Sequence, residues 1–270
     1  MTDIKVNRRN SHPDDPTPET RRLTAAEIFQ AAIENARDEL RRSNQKLAFS
    51  GVAGGLTMGL TALSVASVRA MAASGTSQTI APYFIYPIGF IAVIIGRAQL
   101  FTENTLYPVI LVLDERRHVG RTLRLWGVVF ASNIFGAFLF ALLAVKSPAL
   151  RPGMVSQLVQ LGRDAAFGSG AHFFWSGVIG GWLIALVAWT VTASHWTIGQ
   201  LAIIYLLTFV VGIGHFAHCI AGSAEILSAV VAGAVPLADY FRWLGPAASG
   251  NVCGGVLMVS LLNYGQVKTI

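Results

Sequence analysis

Charge is what this chain has least of. Charged types make up 13% of its 270 residues, about half the share usual in a soluble domain, while hydrophobic types reach 53%. A soluble helical bundle of that composition would need polar faces at a 3.6-residue period, and the long apolar stretches have none. Cysteine is nearly absent. Cys219 and Cys253 both sit in apolar surroundings, which excludes a disulfide scaffold and offers no metal-ligand spacing, so they read as small buried residues. The opening MTDIKVNRRNSHPDDPTPETRR lacks an apolar core, so no cleavable signal is visible and the first spanning helix has to direct insertion. The net charge of +6 comes without a recognisable base-reading module, and the basic residues lie outside the apolar segments; nucleic-acid binding is rejected. No catalytic constellation stands out, so neither an enzyme nor a cofactor is expected.

What is present is six apolar stretches, near 47–70, 83–112, 122–146, 171–193, 198–230 and 244–263. Each approaches or exceeds the roughly 20 residues that cross a bilayer. The second and fifth are long enough to be more than one straight helix. Ahead of them, residues 1–23 form a polar tail with Pro13, Pro16 and Pro18 close together, a composition that cannot build a core. Thr24-Ala-Ala-Glu27 reads as a capping box, and Ile28, Ile33, Ala36 and Leu40 behind it make an apolar stripe. Residues 24–45 are thus an amphipathic helix, lying on the lipid surface or packed on the cytoplasmic mouth. Lys and Arg concentrate before the first stretch and again at Arg116, Arg117, Arg121 and Arg124, with none in the first loop. Both termini are therefore expected in the cytoplasm.

An internal repeat appears at an offset of 118 residues. It pairs Gly59 with Gly177, Gly96 with Gly214, Asn133 with Asn251 and Gly136 with Gly254, and sets Leu100 against His218. The repeats cover about 47–146 and 165–264. Three spans per unit is an odd number, so the second unit inserts upside down, an arrangement that goes with broken helices and a midplane site. The expected fold is an all-α membrane protein of six transmembrane helices in two inverted three-helix repeats, with helices 2 and 5 interrupted, over residues 46–265.

Two polar runs interrupt those helices. Gly96-Arg-Ala-Gln-Leu-Phe-Thr-Glu-Asn104 brings Arg97, Gln99, Thr102, Glu103 and Asn104 within a few positions. The other, Gly212 to Glu225, carries His215, His218, Ser223 and Glu225. A lipid-facing helix carries such groups only at great cost, so they need a protein interior, a water-filled path or a break. His215 and His218, three apart, lie on neighbouring helical faces, but the run supplies no third and fourth metal ligand. His218 reads either as a pore residue or as a structural histidine bonded to a carbonyl. Glu103 and Glu225 either face the path or pair with Arg97.

These runs resemble the formate/nitrite transporter family. Gly96-Arg-Ala-Gln-Leu-Phe-Thr-Glu103 is similar to the loop that interrupts the family's second helix, and Phe216-Ala-His-Cys-Ile-Ala-Gly222 to the segment around its central histidine. Asn133-Ile-Phe-Gly136 and Asn251-Val-Cys-Gly254 resemble its repeated Asn-x-x-Gly. The resemblance covers about residues 25–265. It implies an aquaporin-like protomer, a homopentamer in the bacterial inner membrane with lipid around it, and one path per protomer. That path passes small monovalent anions or their weak acids, such as formate or nitrite, often with a proton. His218 carries over as the central histidine, Thr102 as the loop threonine, and Leu100 and Phe101 as the constriction. There are departures: Ala217 replaces the usual acidic residue, Gly222 an asparagine, and Ala165 falls where a mouth lysine is common, with Arg163 nearby. They mark a divergent branch and leave open a channel for small neutral solutes, a cation-linked carrier, or a non-transporting sensor or scaffold.

Overall fold

The computed structural model describes residues 21–72 and 80–268; the tail expected over 1–23 falls, up to residue 20, outside them. Among the described residues every regular element is helical. In chain order these are α1 Ala25–Arg41, α2 Asn44–Ala72, α3 Ile88–Ile95, α4 Tyr107–Glu115, α5 Val119–Lys146, α6 Pro152–Ala166, α7 Gly170–Thr192, α8 Thr197–Ile213, α9 Ala221–Val231, α10 Leu237–Gly255 and α11 Leu262–Val267, with a π-helical turn joining the last two. Among the described residues, four helices are long and apolar enough to cross a membrane unaided: α2, α5, α7, and α10 with α11. The second and fifth apolar stretches do not form single rods. The second runs from a short 3₁₀ turn at Ala81–Ile85 through α3, a loop and α4; the fifth is α8, a loop and α9.

α2 packs along α5, and α7 along α10. Small residues permit the close approach. A β-carbon added at Gly136 would stand 2.2 Å from the Val52 carbonyl oxygen, and one at Gly254 2.0 Å from that of Val178. Large apolar side chains such as Leu123, Phe135, Leu143, Leu206 and Phe241 point outward, as lipid-facing or neighbour-facing surface requires.

Contacts refine the internal repeat. Ser50 Oγ accepts from the Gln99 amide at 3.1 Å, as Ser176 Oγ accepts from the Ala217 amide at 2.9 Å. Gln99 and Ala217 are separated by the expected 118 residues, but Ser50 and Ser176 by 126. The contacts of Gly177 are therefore those of Gly51, not Gly59: each gives its carbonyl to the repeat asparagine. From Ser50 to Gln99 is 49 positions and from Ser176 to Ala217 is 41, so the path from the first helix of the repeat to the break is eight residues longer in the first half, which shifts the register of that helix (126 against 118).

The capping box forms: Thr24 Oγ1 accepts from the Glu27 amide at 3.3 Å while Glu27 Oε2 accepts from the Thr24 amide at 2.8 Å. The stripe of α1 is buried, Ile28, Ile33, Ala36 and Leu40 together with Phe29 and Ala32, so of the two expected placements α1 takes the one against its own protein. It rests mainly on α4, with α11 beside it. Arg124 Nη2 closes its C-terminal end by donating to the carbonyls of Leu40 at 3.0 Å and Arg42 at 3.1 Å.

Glu115, at the end of α4, anchors α1. It accepts from Arg37 at 2.8 Å and from Arg117, and contacts His118 at 2.9 Å. The Arg37 hydrogen bond first, then those of Arg117 and His118, hold its carboxyl down at about 2, against an ordinary value of 4.5. A depressed carboxylate stabilises the fold fully above its ordinary value, and the contribution fades as pH falls toward 2. Protease cleavage of α1 should accordingly rise as pH drops through that window, and Glu115→Gln should show the raised cleavage already at neutral pH. Equal cleavage of variant and wild type at neutral pH counts against the anchor.

Candidate functional site: two cavities meeting at a threonine–histidine bond

Both interrupted helices break in the same way. α3 ends at Ile95 and Gly96, α8 at Ile213 and Gly214. The next residues, Arg97 and His215, adopt positive φ of 58° and 51°. The chain then turns back on the helix, Ala98 N donating to Val93 O and Phe216 N to Val211 O, both at 3.1 Å. Glycine is the usual occupant of that left-handed position; a side chain there costs about 1 kcal/mol. In each half that cost places a polar side chain at the rim of a cavity.

An asparagine holds each break. Asn133 Oδ1 accepts from the Phe101 amide at 2.9 Å, and its Nδ2 donates to Gly51 O at 2.7 Å and Gln99 O at 2.8 Å. Asn251 repeats the pattern with the Cys219 amide, Gly177 O and Ala217 O, each at 2.8 Å. Both asparagines are fully buried. A carboxamide is the side chain that accepts once and donates twice: it serves the amide and the carbonyl left unpaired at the break and ties them to a carbonyl of the neighbouring helix, Gly51 of α2 or Gly177 of α7.

The breaks meet at one contact. Thr102 Oγ1 lies 2.7 Å from His218 Nε2, and both side chains are buried. The other ring nitrogen, Nδ1, takes the Ala221 amide hydrogen at 3.0 Å, at the start of α9. A backbone amide only donates, so Nδ1 accepts, and the neutral ring carries its proton on Nε2 and donates it to Thr102. The Thr102 hydroxyl hydrogen then has no partner among the described residues. Phe90 packs edge-on against the imidazole, centroid to centroid 5.0 Å. Both ring nitrogens of His218 are engaged, and among the described residues it belongs to no group of three or more side chains placed to hold a metal ion.

A cavity of about 190 Å³ reaches His218 from one side, lined also by Arg69, Tyr83, Asp164, His215, Ala217 and Glu225. A second, of about 90 Å³, reaches Leu100 and is lined by Glu39, Arg97, Gln99, Glu103 and Tyr107. The first lies near the far end of α2 and the α6–α7 connection; the second lies beneath α1, so the two open on opposite sides. Arg97 and Glu225 thus belong to different cavities. Among the described residues no ion pair within 4 Å joins Glu103 or Glu225 to a basic side chain, so neither carboxylate pairs with Arg97. Leu100 is buried at the inner end of the second cavity. Phe101 lines neither cavity: its ring packs on Trp126 and Phe130, with centroids at 5.9 and 4.8 Å, beside an outer apolar groove between α5 and α10.

Sequence reasoning missed Arg69 and α6. Arg69 stands 3.5 Å from Asp164 and donates to the Tyr83 hydroxyl, and so supplies the cation in the cavity where Ala165 had left none. The signal for α6 was legible in Pro152 at the first helical position and in the spacing of Leu158, Leu161 and Gly162, its buried face.

The family described as formate/nitrite transporter matches residues 26–265. The inner membrane protein YfdC of Escherichia coli (strain K12) is 30% identical over 247 residues, 90% of this chain and 79% of that protein. A probable formate transporter of Methanothermobacter thermautotrophicus is 29% identical over 198 residues, 67% of this chain and 72% of its own. Among solved structures, an FNT family ion channel superposes with a TM-score of 0.80 at 17% identity, covering 89% of this chain and 98% of the other. A pentameric formate channel with formate bound gives a TM-score of 0.70 at 15% identity over 82% and 96%. The fold is thus that of an all-α, multi-pass membrane protein.

Proposed function

This chain belongs to the formate/nitrite transporter family, and from that premise we propose that it passes small monovalent anions of the formate and nitrite class across a bacterial inner membrane, and that they cross the narrow point as the neutral acid. The observation that carries the reading is the buried Thr102–His218 bond with a cavity on either side. A bare anion entering the buried zone between Leu100 and His218 loses its hydration for little in return. The neutral acid loses far less, and its carbonyl oxygen can accept from the Thr102 hydroxyl. His218 positions that hydroxyl by donating to it, and Leu100 and Phe90 keep bulk water out.

In this reading the two broken stretches each count as one span. Six spans then form two inverted units, supported by the matching breaks and asparagine contacts. α1 and α6 stand 126 residues apart and each lines one cavity, which supports their being the first elements of the two units. The distribution of Lys and Arg puts both termini in the cytoplasm, and the contact of Lys268 with Asp114 at 2.8 Å keeps the end of α11 on the α1 side. The homo-oligomer is a pentamer, like the formate channel with which the chain superposes.

A flux panel in proteoliposomes tests the function: formate, nitrite and small uncharged solutes, each over a range of pH. Formate and nitrite should enter faster as external pH falls while uncharged solutes stay near empty-vesicle rates. Fast passage of uncharged solutes with no weak-acid flux would replace this reading with a neutral-solute channel.

A further inference from the structure

Passage as a neutral acid raises the question of where the anion finds its proton, and the geometry at the narrow point does not offer His218 as the donor. Its only proton is on Nε2, held by Thr102, and giving it away would leave an imidazolate. A second proton on Nδ1 would have to displace the Ala221 amide. The cavities on either side hold other candidates. Each contains one carboxylate that accepts no hydrogen bond and makes no ion pair within 4 Å among the described residues: Glu225 in the cavity that reaches His218, Glu103 in the one that reaches Leu100. Each also contains a guanidinium, Arg69 or Arg97. The other carboxylates there are taken: Asp164 faces Arg69 at 3.5 Å, and Glu39 accepts from Arg42 at 3.0 Å.

We propose that Glu225 and Glu103 are the proton-exchange groups of the two cavities, and that each protonates the anion which the neighbouring arginine has drawn in. The proposal rests on the passage reading above and names the residues that complete it. On entry, the carboxylic acid form of one glutamate gives its proton to the anion: the glutamate O–H bond breaks, a substrate O–H bond forms, and a glutamate carboxylate and a neutral acid result. The carboxylate regains a proton from water or hydronium on its own side. Beyond Leu100 and His218 the steps reverse. The neutral acid gives its proton to the second glutamate, which releases it to the other solution, so one proton crosses with each anion. Because the exchange is reversible, both glutamates serve flux in both directions.

The arrangement also accounts for the mixed charge of the cavities. An arginine alone would trap the anion; an adjacent acid neutralises it and lets it leave for the apolar zone. The groups facing Glu103 are Arg97 on its own loop, Glu39 of α1 and Tyr107 of α4. Those facing Glu225 are Arg69 of α2, Asp164 of α6, His172 of α7, Tyr83 and Tyr86 before α3, and His215; His218 closes the inner end.

The test uses the full chain in proteoliposomes, with radiolabelled formate uptake and lumenal acidification read together. Glu103→Gln, Glu225→Gln and the double variant should each lose about a hundredfold of both signals at neutral pH, the lower end of the scale for removing a positioned proton donor. The loss should disappear at a pH low enough for formic acid to arrive already protonated. Wild-type flux at neutral pH in the double variant overturns the proposal, and so does a defect of the same size at every pH, which marks a structural role. If the glutamine variants fail to assemble, Glu103→Asp and Glu225→Asp carry the test: a loss at neutral pH that is recovered at low pH supports the relay, and wild-type flux or a loss of the same size at every pH overturns it. Absence of formate and nitrite flux in the wild type itself would instead remove the passage reading beneath it.

Discussion

Replacement of His218 by asparagine should lower formate flux by about a hundredfold at neutral pH, the usual scale for removing one preorganised donor from a dry site, while the oligomer stays assembled. Asparagine can still take the Ala221 amide hydrogen through its carboxamide oxygen, so the start of α9 keeps its partner. It is too short to reach Thr102, which the imidazole meets at 2.7 Å. The threonine hydroxyl then rotates freely and no longer presents its hydrogen to the substrate. Thr102→Val should give a similar loss at nearly constant volume, and combining the two should add little, because both remove one shared interaction. Size-exclusion elution of the purified variant checks assembly, and uptake in proteoliposomes checks flux. Wild-type flux of every weak acid in His218→Asn would dismiss the role given to the pair.

A second large effect falls on stability. Asn133→Ala and Asn251→Ala each strip three hydrogen bonds from a fully buried site. At up to about 1.7 kcal/mol for a buried polar contact inside a membrane protein, each loss comes to about 2–4 kcal/mol. Asn→Asp should be no milder. A carboxylate still accepts from the Phe101 or Cys219 amide, but it faces two carbonyl oxygens with no hydrogen to offer. Thermal unfolding in detergent, followed by loss of the oligomer peak, measures the effect. The two alanine variants should be similar, since the two sites are built alike; a tolerant Asn133 beside a sensitive Asn251 would show that the halves do not bear equal load.

The interruptions of the two long apolar stretches were legible because polar residues are costly in lipid and Arg97, Gln99, Glu103, His215 and His218 are dense there. Asn133 and Asn251 were legible as a repeated motif but not as the clamps of the breaks: which backbone groups a side chain reaches depends on how α5 crosses α2. The offset was half legible. Where loops match in length, 118 residues relates the halves; across the longer α2–α3 connection only the hydrogen bonds of Ser50 and Ser176 reveal 126. The family resemblance carried Phe101 over with Leu100 as the constriction, yet adjacent residues in an irregular loop point in different directions, and its ring turns toward Trp126.

By itself, then, the sequence determined that this protein lives in a membrane, where its helices break and which residues sit at the breaks, because the cost of polar groups in lipid is local and can be read along the chain. Tertiary structure alone decided that Thr102 and His218 touch, that Arg69 serves the cavity left without a nearby lysine, and that Glu103 and Glu225 line opposite cavities with no ion pair to Arg97. Those are contacts between segments as far as 116 positions apart, set by helix packing, and helix packing depends on where small residues let backbones close in rather than on any one run of sequence.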